Sequence, residues 1–198
     1  RRCRRTSHGE PPSDRTDGSG MNAPDAIRHA ADLLRAGELV VVPTETVYGL
    51  AADPEAPGSM EKLYAAKGRD ADKPVALFAG NVAQVEACGA KLGPTGRRLA
   101  ERYWPGPLTL VLPMGDGDGA PCEGFRIPDH ATALALLEEV GGVLRVTSAN
   151  LSGEPPATTA DAARAALRDA VAYVLDAGPA EGGVPSTVVK MEGDRVVV

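Results

Sequence analysis

The chain has 198 residues, 43% hydrophobic and 24% charged, with 21 Lys and Arg against 27 Asp and Glu and a formal net charge of −6. That length suffices for one domain with a real core, and the acidic balance excludes a surface built chiefly to grip duplex nucleic acid. Aromatics at 4%, with Trp104 the single tryptophan, leave little for base-stacking platforms. No run approaches a membrane-spanning helix or the apolar stretch of a signal peptide. Cys3, Cys88 and Cys122 show no metal-ligand spacing and read as reduced thiols, so a soluble cytoplasmic protein is expected.

Residues 1–20 hold five Arg, several Gly, Pro and Ser and no apolar run, which predicts a disordered N-terminal extension. Without it, residues 21–198 carry 16 basic and 24 acidic side chains, a net of −8. From Asp25 to Ala36, Ile27, Ala30, Ala31 and Leu34 recur at helical spacing, and Gly37 marks a stop. Leu39–Val42 predicts a strand buried on both faces. A helix follows from a Ser59 cap to about Ala66, then a strand at Val75–Phe78 and helices near Val82–Cys88 and Thr95–Tyr103. Strands are expected at Leu108–Leu112 and Phe125–Ile127, and a helix from an Asp129 cap to Val140. Val143–Val146 then reads as a strand leading into Ser148-Ala149-Asn150, and Thr159 caps a helix over Ala160–Asp169. Strands at Ala172–Leu175, Thr187–Lys190 and Arg195–Val198 close the chain. Strands interleaved with helices of about ten residues predict a single α/β domain with a mixed twisted sheet flanked by helices.

The chemistry-bearing residues sit at strand ends and in the loops beyond, where open α/β sheets bind ligands. Lys67, Arg69 and Lys73 combine point charges with a planar fork, the two complementary ways to hold phosphate oxygens. A solvated helix end is the plainer reading of Lys67 and Arg69. Ser148 and Asn150 leave a strand with neutral hydrogen-bonding groups, and a simple turn is the alternative there. Arg126 lies inside an apolar strand, where a charge requires an anionic partner, either a ligand or a structural carboxylate. Residues 43–50 place two Thr, a Tyr and a Gly directly after the first strand.

The segments PTETVYGLAADP (43–54), KGRDADKP (67–74), YWPGPLTLVLP (103–113), FRIPD (125–129), TSANLSG (147–153) and PSTVV (185–189) together resemble the YrdC-like family of L-threonylcarbamoyladenylate synthases. The resemblance runs from about Asp25 to the chain's end and is closest to the short, single-domain bacterial type. It implies that residues 21–198 form a catalytic domain making threonylcarbamoyl-AMP and pyrophosphate from L-threonine, bicarbonate or CO2, and ATP. The product would feed the t6A modification of tRNA at position 37 through downstream t6A transferase proteins. It further implies that Lys67 and Arg69 are catalytic, and that Lys67, Arg69, Lys73, Asn150 and Thr158 bind ATP. Thr46, Arg126, Ser148 and Ser186 would surround threonine, and Phe78 would wall its pocket. Mg2+ would arrive with ATP, bridging phosphate oxygens without a metal site of the protein's own. An RNA-binding module and a carbamoyl-transfer domain of larger maturation enzymes are the competing readings. The acidic domain speaks against the first, though the N-terminal Arg residues could give weak, salt-sensitive tRNA binding. The lack of zinc-finger cysteine spacing speaks against the second.

Overall fold

A computed structural model describes residues 21–68, 73–117 and 119–197. The expected extension at 1–20, Arg69 and Val198 lie outside the described residues. In chain order the elements are α1 (Ala23–Arg35), β1 (Val40–Val42), β2 (Gly49–Ala52), α2 (Ser59–Lys67), β3 (Ala76–Phe78), α3 (Val82–Ala87) and α4 (Gly93–Tyr103). They continue with β4 (Leu108–Pro113), β5 (Cys122–Arg126), α5 (Ala131–Val140), β6 (Leu144–Ser148), α6 (Ala160–Leu167), β7 (Tyr173–Val174), β8 (Thr187–Glu192) and β9 (Arg195–Val197).

Among the described residues the strands form one mixed sheet in the order β7-β1-β2-β6-β3-β5-β4-β8-β9. The α/β class and mixed sheet read from the sequence are those observed. Strand side chains alternate between faces, so one strand feeds two cores. Val40 and Val42 join Phe78, Leu144 and Val146 beneath α1 and α5. Val41, between them, joins Leu39, Leu50 and Ala52 beneath α2 and α6. Farther along that second face, Leu77, Leu110, Leu112 and Phe125 pack beneath α3 and α4. The core under α1 and α5 takes no buried residue from β4, β5 or β8. On that side the sheet is left open beyond the two helices, and Val188 of β8 is 55% exposed there.

Several local expectations need correction. The sequence reading gave no strand at 49–52, yet β2 pairs with β1 on one side and β6 on the other, all four residues buried. Gly and Ala are weak strand formers, and pairing on both edges decides the matter. Ser59 is the first residue of α2 rather than its cap; Gly58 occupies the cap, and the Ser59 hydroxyl donates to the Asp53 carbonyl. His130, not Asp129, sits at the cap of α5, without a side-chain capping bond. Asn22, Asn81 and Thr159 do cap their helices through side-chain oxygens.

Gly49 sits opposite Ser148 in the β2–β6 ladder. A Cβ there would approach a Val146 methyl to 2.6 Å, so only glycine lets these strands close over the Val146 side chain. Gly49→Ala should therefore lower unfolding free energy by about 1–3 kcal/mol in urea titrations, the usual cost of overpacking. Gly142→Ala, where an added Cβ meets nothing within 4 Å, should stay within about 0.5 kcal/mol of the parent.

Candidate active site

On the open side of the sheet lies a cavity of about 220 Å³. Its wall is assembled from six places in the chain: the loop after β1 (Thr44, Thr46, Tyr48), β3 and the residues before it (Pro74, Ala76, Phe78), Thr109 of β4, Arg126 at the end of β5, Ser148 at the end of β6, and Ser186 before β8. The β3–β5 pairing sets Phe78 beside Arg126, and the guanidinium carbon lies 5.3 Å from the Phe78 ring centre. The four residues expected around threonine, Thr46, Arg126, Ser148 and Ser186, all line this one cavity, and so does Phe78.

Arg126 is 4% exposed, and the structure supplies the carboxylate partner that a buried charge requires. Its Nη2 donates to Glu45 Oε1 at 2.7 Å and to Thr46 Oγ1 at 2.9 Å, and its Nε donates to the Gly106 carbonyl at 3.2 Å. The structural carboxylate is thus Glu45, eighty-one residues away in sequence. The Nη1 hydrogens have no partner among the described residues and remain for a ligand. Glu45 Oε2 and His130 Nδ1 are buried without hydrogen-bond partners. Burial pushes the His130 imidazole below its ordinary pKa, against the opposing pull of Glu45, Asp129 and Glu181.

Hydroxyl pairs make up most of the remaining polar wall. Thr44 Oγ1 lies 2.9 Å from Thr46 Oγ1, donates to the Val47 carbonyl, and accepts from the Thr46 and Val47 amides at 3.2 Å. That turn arrests the loop as it leaves β1. Across the cavity, Thr109 Oγ1 and Ser186 Oγ meet at 2.8 Å. Thr109 was missed in the sequence, where LTLVL reads as uniform strand; its alternate position within β4 was the available signal. Tyr48 is wholly buried, and its hydroxyl donates to the Gly178 carbonyl at 2.7 Å and accepts from the Ala177 amide at 3.3 Å. Burial pushes its phenol up to about 12.

The residues expected to hold nucleotide are arranged differently from one another. Lys67 is no solvated helix end: it is 2% exposed, the last residue of α2, and its ammonium donates to the carbonyls of Ser148 and Asn150 and to Asn150 Oδ1. Gly68, at φ +58°, turns the chain away immediately afterwards. Asn150 uses its amide hydrogens on the carbonyls of Leu151 and Glu154. Lys73 is exposed and directly precedes Pro74 of the cavity wall. The Thr158 carbonyl accepts from the Ala180 amide at 2.8 Å, and its neighbour Ala157 accepts from the Tyr48 amide. Neither Thr158 nor Asn150 lines the cavity. No group of three or more His, Cys, Asp or Glu among the described residues could hold a metal ion. None of the described helices is long and apolar enough to cross a membrane.

An open-faced α/β sheet with a small polar cavity, a buried guanidinium and converging hydroxyls is the class of fold and site observed. Comparison with known proteins narrows this class. The Sua5/YciO/YrdC family model, described as "Telomere recombination", matches residues 32–198, and the chain belongs to that family. It is 39% identical over 192 residues to a Bacillus subtilis threonylcarbamoyl-AMP synthase, covering 93% of this chain and 55% of that one. Against a Thiobacillus denitrificans protein of the same name it is 34% identical, covering 83% of this chain and 90% of the relative. Pyrococcus abyssi Sua5 in complex with L-threonine superposes with a TM-score of 0.79 at 35% identity, covering 86% of this chain and 52% of that one. The chain thus spans about half the length of the Bacillus and Pyrococcus proteins and most of the Thiobacillus one.

Two tests follow from the site. Glu45→Ala leaves the Arg126 charge buried without its carboxylate and should cost about 3 kcal/mol of stability in urea titrations. Tyr48→Phe should be less stable than the parent at pH 8 by about 1 kcal/mol. Because the folded-state phenol is raised, its contribution is complete below pH 10 and is lost as pH rises toward 12. The gap between parent and Tyr48→Phe in chemical unfolding should therefore narrow over that interval.

Proposed function

We propose that this protein is an L-threonylcarbamoyl-AMP synthase, joining L-threonine, bicarbonate or CO2, and ATP and releasing pyrophosphate. The observation that carries this reading is the cavity in which Arg126, Thr46, Ser148 and Ser186 converge. A guanidinium with two N–H groups to spare suits an amino-acid carboxylate. The hydroxyls can take up the threonine amine and hydroxyl, and the apolar patches formed by Phe78 and Ala76 suit a methyl group.

In this mechanism threonine sits with its carboxylate on Arg126 Nη1 and its amine toward the mouth of the cavity. The amine traps CO2 as an N-carboxylate, which attacks the α-phosphorus of ATP as pyrophosphate departs. No protein nucleophile takes part. The protein's contribution is orientation and the stabilisation of charge on phosphorus oxygens. Arg69 and Lys73 hold the triphosphate, with Thr158 and the 148–150 turn flanking the nucleotide. Mg2+ would enter with ATP and offset the charge of its phosphates. In the cytoplasm the unstable adenylate passes to t6A transferase proteins, and the Arg residues of 1–20 add a weak, salt-sensitive attraction for tRNA.

Incubation with ATP, Mg2+, bicarbonate and L-threonine should yield the threonylcarbamoyl adenylate by mass spectrometry. Pyrophosphate release should require threonine and bicarbonate together. Equal release with glycine would overturn the threonine assignment, since a site that hydrogen-bonds a substrate hydroxyl rejects analogues lacking it. Arg69→Ala should lower kcat/KM for ATP about 100-fold, the scale of one lost charge-stabilising donor. Arg69→Lys should recover only part of that, because a point charge does not replace a planar fork.

A further inference from the structure

We propose that Lys67 is a positioning residue that clamps the Ser148–Asn150 turn, and that it acts on both substrates through that turn rather than as a ligand to phosphate. A lysine ammonium carries three hydrogens. Here three oxygens receive them: the Ser148 carbonyl, the Asn150 carbonyl and Asn150 Oδ1, the last at 3.2 Å. With the side chain 2% exposed, a phosphate oxygen could gain a hydrogen bond from it only by taking one from a buried protein oxygen. That exchange gains little and leaves a buried carbonyl unsatisfied.

The clamp holds more than one bond suggests. The Lys67 carbonyl also accepts from the Ser152 amide at 3.0 Å, so residue 67 grips the segment at both ends. Asn150 passes the hold onward, its amide hydrogens reaching the carbonyls of Leu151 at 2.8 Å and Glu154 at 2.6 Å. On the other side Ser148 is fixed by its register with Gly49. Ser148 lines the cavity, and Asn150 points away into its own loop. Fixing this turn therefore fixes the Ser148 wall and the start of the 151–154 loop in one step.

The inference rests in part on the reading that the cavity takes threonine, so its test has an arm that does not. In the full-length chain, Lys67→Met keeps the aliphatic stem and removes all three donors. Amide hydrogen exchange at Asn150 and Ser152 should accelerate at least tenfold in the ligand-free variant, while β4 and β5 amides stay as protected as in the parent. Calorimetric titration with L-threonine alone, without nucleotide, should show affinity reduced at least tenfold. A residue that serves only as a phosphate ligand would leave both readouts unchanged, and that result overturns the inference. Faster exchange in Lys67→Met, together with a parent that binds no threonine, would refute the threonine reading and uphold the clamp. Lys67→Arg provides the second variant, should the methionine variant not fold. A planar fork cannot meet three oxygens converging on one nitrogen, so threonine binding should remain impaired although the charge is kept. Parent-like threonine binding and exchange in Lys67→Arg would overturn the clamp.

Discussion

Gly49 opposite Ser148, in the antiparallel ladder of β2 and β6, is the backbone contact from which the cavity takes its shape. It joins two loops a hundred residues apart in sequence: the Thr-rich turn entering β2 and the Ser-Ala-Asn turn leaving β6. The register admits no side chain at position 49, since a Cβ would strike Val146. A one-residue slip would send Ser148 to the opposite face of the sheet. The chain thus specifies the site by a steric requirement in the backbone before any polar group is placed.

Two cations are buried beside that ladder, and each is stabilised in a different way. Arg126 meets a carboxylate, Glu45, together with the Thr46 hydroxyl and the Gly106 carbonyl. Lys67 donates to the carbonyls of Ser148 and Asn150 and to Asn150 Oδ1. An ion pair has little field beyond its own neighbourhood, so Arg126 offers an incoming anion geometry more than net charge.

Most of the fold was legible in the sequence because period and punctuation agree over most of its length. Apolar spacing marked α1, β-branched runs marked β1 and β4, and Thr159 marked the start of α6. β2 escaped because its Gly-Leu-Ala-Ala has no strand propensity of its own; its conformation is imposed by neighbours on both edges. The site was legible as a set of residues and not as a set of bonds. Arg126 declared its need for an anion from within an apolar run, yet the partner, Glu45, lay in a stretch that read as a turn. Lys67 read either as a phosphate-holding cation or as a solvated helix end, and neither reading showed its bonds, because two of the oxygens that receive it are backbone carbonyls more than eighty residues downstream.

The hydroxyl pairs explain why such a site can do without a titrating catalyst. Thr44 with Thr46, and Thr109 with Ser186, are close pairs in which either oxygen can donate. A hydroxyl that gives its hydrogen to a ligand carboxylate can accept from its neighbour, and the reverse holds for a ligand amine. The Thr109–Ser186 pair can therefore reorient at the cost of a rotation rather than a proton transfer, while the Thr44 hydroxyl stays committed to the Val47 carbonyl. His130, the imidazole nearest in chain to Arg126, is pushed toward its neutral form by burial and stays out of the cavity wall. The order that the wall's hydroxyls impose on a ligand comes from shape and hydrogen-bond direction. That is the kind of order required when two substrates must be brought into line and the bonds that change lie wholly within them.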